Sequence, residues 1–228
     1  AWLSSRFPSL LRSFVIEPLG AYEGPPNDLG RHVAVTWIAG YLVAQVTILI
    51  VFRLSNPIEA GRLGLSLTIA NMIGLLAQSG LAAQVPSLVR DVEQKDWQAF
   101  DHRFQRAFRQ MLGIFLTLAM GAVTFRLIVS LTPYRDRLLD TIPFLCLFAG
   151  VFITHIVNAW SLKLRSFHKD PLVWIIAIGS AVLVMLYALV APVYGANGVT
   201  FIMLAVQAGF TFPLSWYTFM KQDKILRI

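Results

Sequence analysis

VAVTWIAGYLVAQVTILIVF, residues 33–52, runs for twenty residues without an Asp, Glu, Lys or Arg. Crossing the hydrocarbon core of a bilayer takes about 20 mostly apolar residues in a helix. The stretch has that length and that character, so it reads as a membrane-spanning helix. Working outward, a second segment follows at 63–84, LGLSLTIANMIGLLAQSGLAAQ. Four more lie at about 110–132, 138–162, 171–193 and 197–220. The fold class expected is all-α integral membrane, a bundle of six transmembrane helices over 33–220.

Composition agrees. The 228 residues are 57% hydrophobic and only 14% charged, with mean hydropathy +0.65. A soluble domain carries about 25% charged residues. In water this chain would expose too much apolar surface, a problem a bilayer removes. The net charge of +7 lies between the apolar runs, so topology rather than nucleic acid accounts for it.

Lys and Arg collect in cytoplasmic loops. Fourteen lie before the first run, in the loops after the second and fourth, and in the tail. The alternate loops hold four, Arg53, Arg62, Arg135 and Arg137, and Arg126 falls inside the third run. This split places both chain ends in the cytoplasm. Residues 1–32 read as a cytoplasmic leader whose Pro- and Gly-rich part, EPLGAYEGPPNDLG at 17–30, forms a linker between lobes. Residues 221–228 form a cytoplasmic tail. With Ala at position 1 and no signal-peptide pattern in 1–16, the chain is expected to start partway through a longer protein.

Residues 86–109 differ in kind. Trp97, Phe100, Phe104 and Phe108 recur at helical spacing among Lys95, Asp96, Asp101, Arg103, Arg106 and Arg109. Two readings stand: an amphipathic helix at the cytoplasmic interface, or an extension of the third helix with its aromatic stripe packed on neighbours. Pro143 and Pro213 fall inside the fourth and sixth runs, where each can kink its helix. Gly64, Gly74 and Gly80 with Ala70 and Ala77 permit close helix approach in the second.

No phosphate-binding glycine loop, nucleotide fingerprint or metal-spaced His/Cys cluster occurs, so neither an enzyme nor a cofactor is expected. Asp91 with Glu93 reads as solvated face, and Cys146 as a small packed residue. Polar groups at membrane depth carry more information, because hydrocarbon penalises them. The candidate substrate-binding residues are Gln45, Asn71, Gln78, Arg90, Arg126, His155 and Asn158. Arg126 either faces a cavity and attracts an anion or snorkels to the outer interface. His155 is a protonation switch or a packing histidine. Gln45, Asn71 and Gln78 either bond across helices or recognise sugar hydroxyls. Arg90 either contacts a phosphate or is an ordinary cytoplasmic cation.

Residues 59–97, EAGRLGLSLTIANMIGLLAQSGLAAQVPSLVRDVEQKDW, resemble part of the multidrug/oligosaccharidyl-lipid/polysaccharide exporter superfamily. The nearer likeness is to its polysaccharide flippases of the O-antigen type, through the GxxGL of 61–65, the small-residue stretch and the charged loop that follows. VAVTWIAGYLVAQ at 33–45 resembles the opening helix of the C-terminal lobe in those proteins. VYGANGVTFIMLAVQA at 193–208 resembles the hairpin into a lobe's last helix. The resemblance implies one lobe, the C-terminal one, of a bacterial inner-membrane transporter that rocks around a cationic cavity. Its implied partners are membrane lipids, a lipid-linked saccharide carrying pyrophosphate, and a missing N-terminal lobe or a second copy. The chain departs from the family in supplying one lobe, and no acidic residue within a span offers itself for ion coupling. A non-transporting membrane scaffold and a membrane-bound lipid or glycan enzyme remain the rival readings.

Overall fold

The computed structural model describes residues 28–167 and 170–225. Every regular element among them is helical. α1 is Asp28–Leu54, α2 Pro57–Ala83, α3 Val85–Glu93 and α4 Trp97–Ser130. A 3-10 turn, Arg135–Arg137, leads into α5, Thr141–Arg165. α6 is Val173–Val206, a π turn covers Gln207–Thr211, and α7 is Phe212–Ile225. Most of the leader and linker (1–27), His168, Lys169 and Arg227 lie outside the described residues. The last part of the expected leader, residues 28–32, is the first turn of α1.

Local chemistry sets the helix starts. Asn56 caps α2, its Oδ1 accepting the Ile58 N–H at 2.8 Å, and Pro57 opens the helix where its missing N–H costs nothing. Asp96 caps α4 by accepting the Ala99 N–H at 3.0 Å. Pro143 sits in the first turn of α5 rather than mid-helix, so it removes no ladder bond. Pro213 is the second residue beyond the π turn. Its ring cannot tolerate a regular preceding turn, and a one-residue widening relieves the clash.

Four stretches, Pro57–Glu93, Trp97–Ser130, Arg135–Arg165 and Val173–Asp223, are long and apolar enough to cross a membrane. The chain is therefore compatible with an all-α membrane protein. Its apolar surface faces outward: Met120 is 71% exposed and Leu131 88%. Only 11% of the apolar window in α4 is buried.

The fourth stretch is 51 residues long and would reach about 76 Å as a straight helix. It does not run straight. Gly195 has φ 57° and ψ −147°, a conformation open essentially to glycine alone. Beyond it the chain doubles back. A Cβ on Gly179 would lie 3.0 Å from Thr211 Oγ1, although 32 positions separate the two, and Leu172 packs in one cluster with Phe219. Both pairs are centred close to Gly195, as two antiparallel arms require. The missing side chain at Gly179 allows the arms to close. Glu59 secures the bend from α2: its Oε2 accepts the Ala196 N–H at 2.8 Å and the Ser55 hydroxyl at 3.1 Å.

The main core joins Leu63, Leu67, Ala70 and Leu81 of α2 to Phe100, Phe104, Met111 and Phe115 of α4 and to Phe144, Leu147 and Val151 of α5. A second cluster centres on Trp160, whose ring lies 5.3 Å from each of Phe212, Trp216 and Phe219. Phe100 and Phe104 are buried and α4 is continuous from Trp97, so this part of the 86–109 stretch packs as an extension of the long helix. α3 is a separate short helix before it.

The two ends of the bundle differ. At the turn end, Arg62 donates to the Asp136 carbonyl at 2.7 Å and pairs with its carboxylate at 3.1 Å. At the α3 end, Arg103 pairs with Asp91 at 2.8 Å. There Asp170 accepts from Arg165 and from Ser161 at 2.9 Å. Lys163 is drawn between Asp223 at 2.9 Å and Asp101 at 3.6 Å.

Candidate functional site

The seven residues singled out in the sequence do not converge on one cavity. Two of them meet. Gln78 of α2 and His155 of α5 face each other, His155 Nδ1 standing 2.8 Å from Gln78 Oε1. The imidazole fits because position 74 is glycine: a Cβ there would lie 1.8 Å from His155 Nε2. Phe115 closes the other side, with ring centroids 6.1 Å apart. His155 is buried, and the pair is an interhelical bond inside packed protein. Gly74→Ala is therefore expected to cost about 2 kcal/mol by forcing the ring out of place. Thermal unfolding of the purified protein would measure it, and His155→Ala in the same chain should recover most of the loss.

The others lie apart. Arg126 is buried, 4% exposed. It donates through Nε to the Leu139 carbonyl and reaches the Asp140 carboxylate at 3.6 Å. Ser66 holds the same loop by accepting the Leu139 N–H at 3.2 Å. The guanidinium thus ties down the connection into α5. Asn71 and Asn158 are half-buried on α2 and α5, while Gln45 on α1 and Arg90 on α3 are exposed. Among the described residues no group of three His, Cys, Asp or Glu could hold a metal ion.

The open site is elsewhere, between α2 and α4. Two adjoining hollows of about 710 and 510 Å³ share Ala107 and Gln110 and form an open cleft on the surface. Its apolar part is lined by Ala77, Gly80, Gly113, Ile114, Thr117 and Leu118. Its mouth is lined by Gln84, His102, Arg103 and Arg106. The sequence carries the pattern, since 99, 103, 106, 110, 113 and 117 follow helical spacing on one face of α4. The cations hid it, because they also satisfy the rule for cytoplasmic loops.

The cleft is graded. The mouth offers cations and side-chain amides, Gln110 marks the middle, and glycines with aliphatic side chains form the inner wall. No carboxylate lines it. Such a surface suits an amphiphile with an anionic head. It offers no nucleophile paired with a base, and so no evident covalent chemistry. Compared with models of known protein families, with curated proteins and with solved structures, the chain matches none.

Proposed function

We propose that the chain is one lobe of a transporter that moves lipid-linked oligosaccharide or polysaccharide precursors across the bacterial inner membrane. In this reading α1, α2, α4, α5 and the two arms that meet at Gly195 make six crossings. The reversal at Gly195 supports that count. The basic α3 end lies in the cytoplasm, as the distribution of Lys and Arg favours.

The observation that carries the proposal is the cleft between α2 and α4. It runs from a basic mouth toward the apolar stretch of α4. A partner lobe, or a second copy, rocking against this face would give alternating access. A fluorescent lipid-linked saccharide in proteoliposomes of the complete protein should change leaflets several-fold faster than in protein-free vesicles. No stimulation under either a proton or a sodium gradient would remove the proposal.

A non-transporting scaffold is the second reading. The bonded Gln78–His155 pair, sealed against Gly74, favours it, since that polar pair is consumed by packing. A scaffold predicts no flipping at all, with the bundle's stability intact.

A further inference from the structure

We propose that the cleft between α2 and α4 holds an anionic glycerophospholipid of the bilayer. Its phosphodiester sits at Arg106 and His102, and one acyl chain lies along the inner wall. This goes beyond the transport reading and does not depend on it.

Charge gives the first argument. Of the basic side chains at the mouth, Arg103 is already engaged by Asp91. Asp96, at the outer edge, is turned to the Ala99 amide, and Asp101 to Lys163. Arg106 and His102 are exposed and make no ion pair among the described residues. Gln84 and Gln110 add amide donors beside them. The mouth therefore presents donors without a compensating carboxylate, which is what a phosphate requires.

Depth gives the second. Arg106 and Leu118 are twelve positions apart on α4, about 18 Å along the axis. Half the hydrocarbon core is about 15 Å. A lipid with its phosphate at Arg106 thus brings its chain down to the midplane beside Leu118. Shape gives the third. Gly80 and Gly113 have no atom within 4 Å of where a Cβ would stand, so they leave a trough between the helices.

The occupant follows from these three. Inorganic phosphate would use the mouth and leave the apolar wall bare. A second copy whose twofold axis passed through the mouth would set Arg106 against Arg106, and like charges oppose that packing. A phosphate ester on a hydrocarbon chain uses both parts. Phosphatidylglycerol meets that description.

The test uses the complete protein in phosphatidylcholine nanodiscs doped with phosphatidylglycerol, followed by extraction and lipid counting by native mass spectrometry. Phosphatidylglycerol should be retained in preference to phosphatidylcholine. Arg106→Gln with His102→Gln should cut that retention about tenfold, while Arg135→Gln with Arg137→Gln at the turn end should leave it unchanged. Gly113→Leu, whose Cβ enters open space and whose side chain occupies the trough, should lower retention and leave the melting temperature unaltered. Equal retention of both lipids, or indifference to the Arg106 and His102 changes, would overturn the proposal. So would displacement by millimolar inorganic phosphate, or, in parallel nanodiscs doped with equal phosphatidylglycerol and polyprenyl phosphate, retention of the polyprenyl phosphate instead. Flipping without lipid retention defeats this proposal alone; retention without flipping defeats the transport reading alone.

Discussion

Gly195→Ala is expected to cost about 4 kcal/mol, from backbone strain, overpacking and a lost capping bond. At φ 57° and ψ −147° an alanine is strained whatever space surrounds it. The space is also taken: its Cβ would fall 1.9 Å from Glu59 Oε2. Glu59 would have to leave, and the Ala196 N–H would lose its acceptor at the start of the returning arm. The wild-type and variant proteins would be unfolded with dodecyl sulfate in mixed micelles, with protease sensitivity of the 173–223 region as a second measure. Glu59→Ala in the variant should relieve the collision while the backbone strain remains. A loss below about 1 kcal/mol, the typical cost of an ordinary substitution, would mean that the bend does not need a glycine.

Lys163→Met is expected to cost about 3 kcal/mol. Lys163 is 5% exposed, and its ammonium ties three helices together. Asp101 of α4 and Asp223 of α7 approach it. The rings of Phe100, Phe104 and Phe219 stand 5.6, 5.1 and 5.3 Å from its Nζ. Each ring turns its electron-rich face to the cation. Methionine keeps the apolar stem but removes the ammonium that both carboxylates approach. α7 should therefore loosen first, seen as faster hydrogen exchange over 212–225. Adding Asp101→Asn and Asp223→Asn to Lys163→Met should restore part of the stability, as a coupled cluster requires. Lys163→Arg should not substitute fully, since a planar fork does not fit a pocket shaped around a compact ammonium. Full stability in Lys163→Met would show that the cluster adds nothing to holding α7.

What was legible in the sequence was what depends on neighbours along the chain. The apolar run at 33–52 falls within α1, and the run at 63–84 lies in α2 up to its C-cap Gln84, because length and hydropathy alone specify them. The break between the runs ending at 193 and beginning at 197 coincides with the reversal at Gly195. The start of α5 was misplaced. Leu138 and Leu139 read as helix because they are apolar, yet they belong to a buried loop whose backbone is held by Arg126 and Ser66. Pro143 looked internal for the same reason.

Pairings across long separations were not legible. Gln78 and His155 each lie on a recognisable helix face, but periodicity does not say which faces meet. The bond between them depends on the rotation of α2 against α5, which Gly74 permits. Arg126 was weighed as a cavity cation or a snorkelling one, and it has instead a carbonyl partner thirteen positions away. The cleft was hidden by ambiguity of charge, since Arg106 and His102 looked like any basic loop until α2 was seen beside them.

α4 carries one further consequence. Its 34 residues extend about 51 Å, against a hydrocarbon thickness of about 30 Å. Roughly 20 Å of rigid rod therefore protrudes from the proposed membrane. An unbroken helix cannot flex at the headgroups without giving up backbone bonds, so it behaves as a lever. Tilting the buried portion by roughly 10° would swing the Trp97 tip by about 3–4 Å, making a shift too small to notice among lipid tails a readable displacement in the aqueous phase.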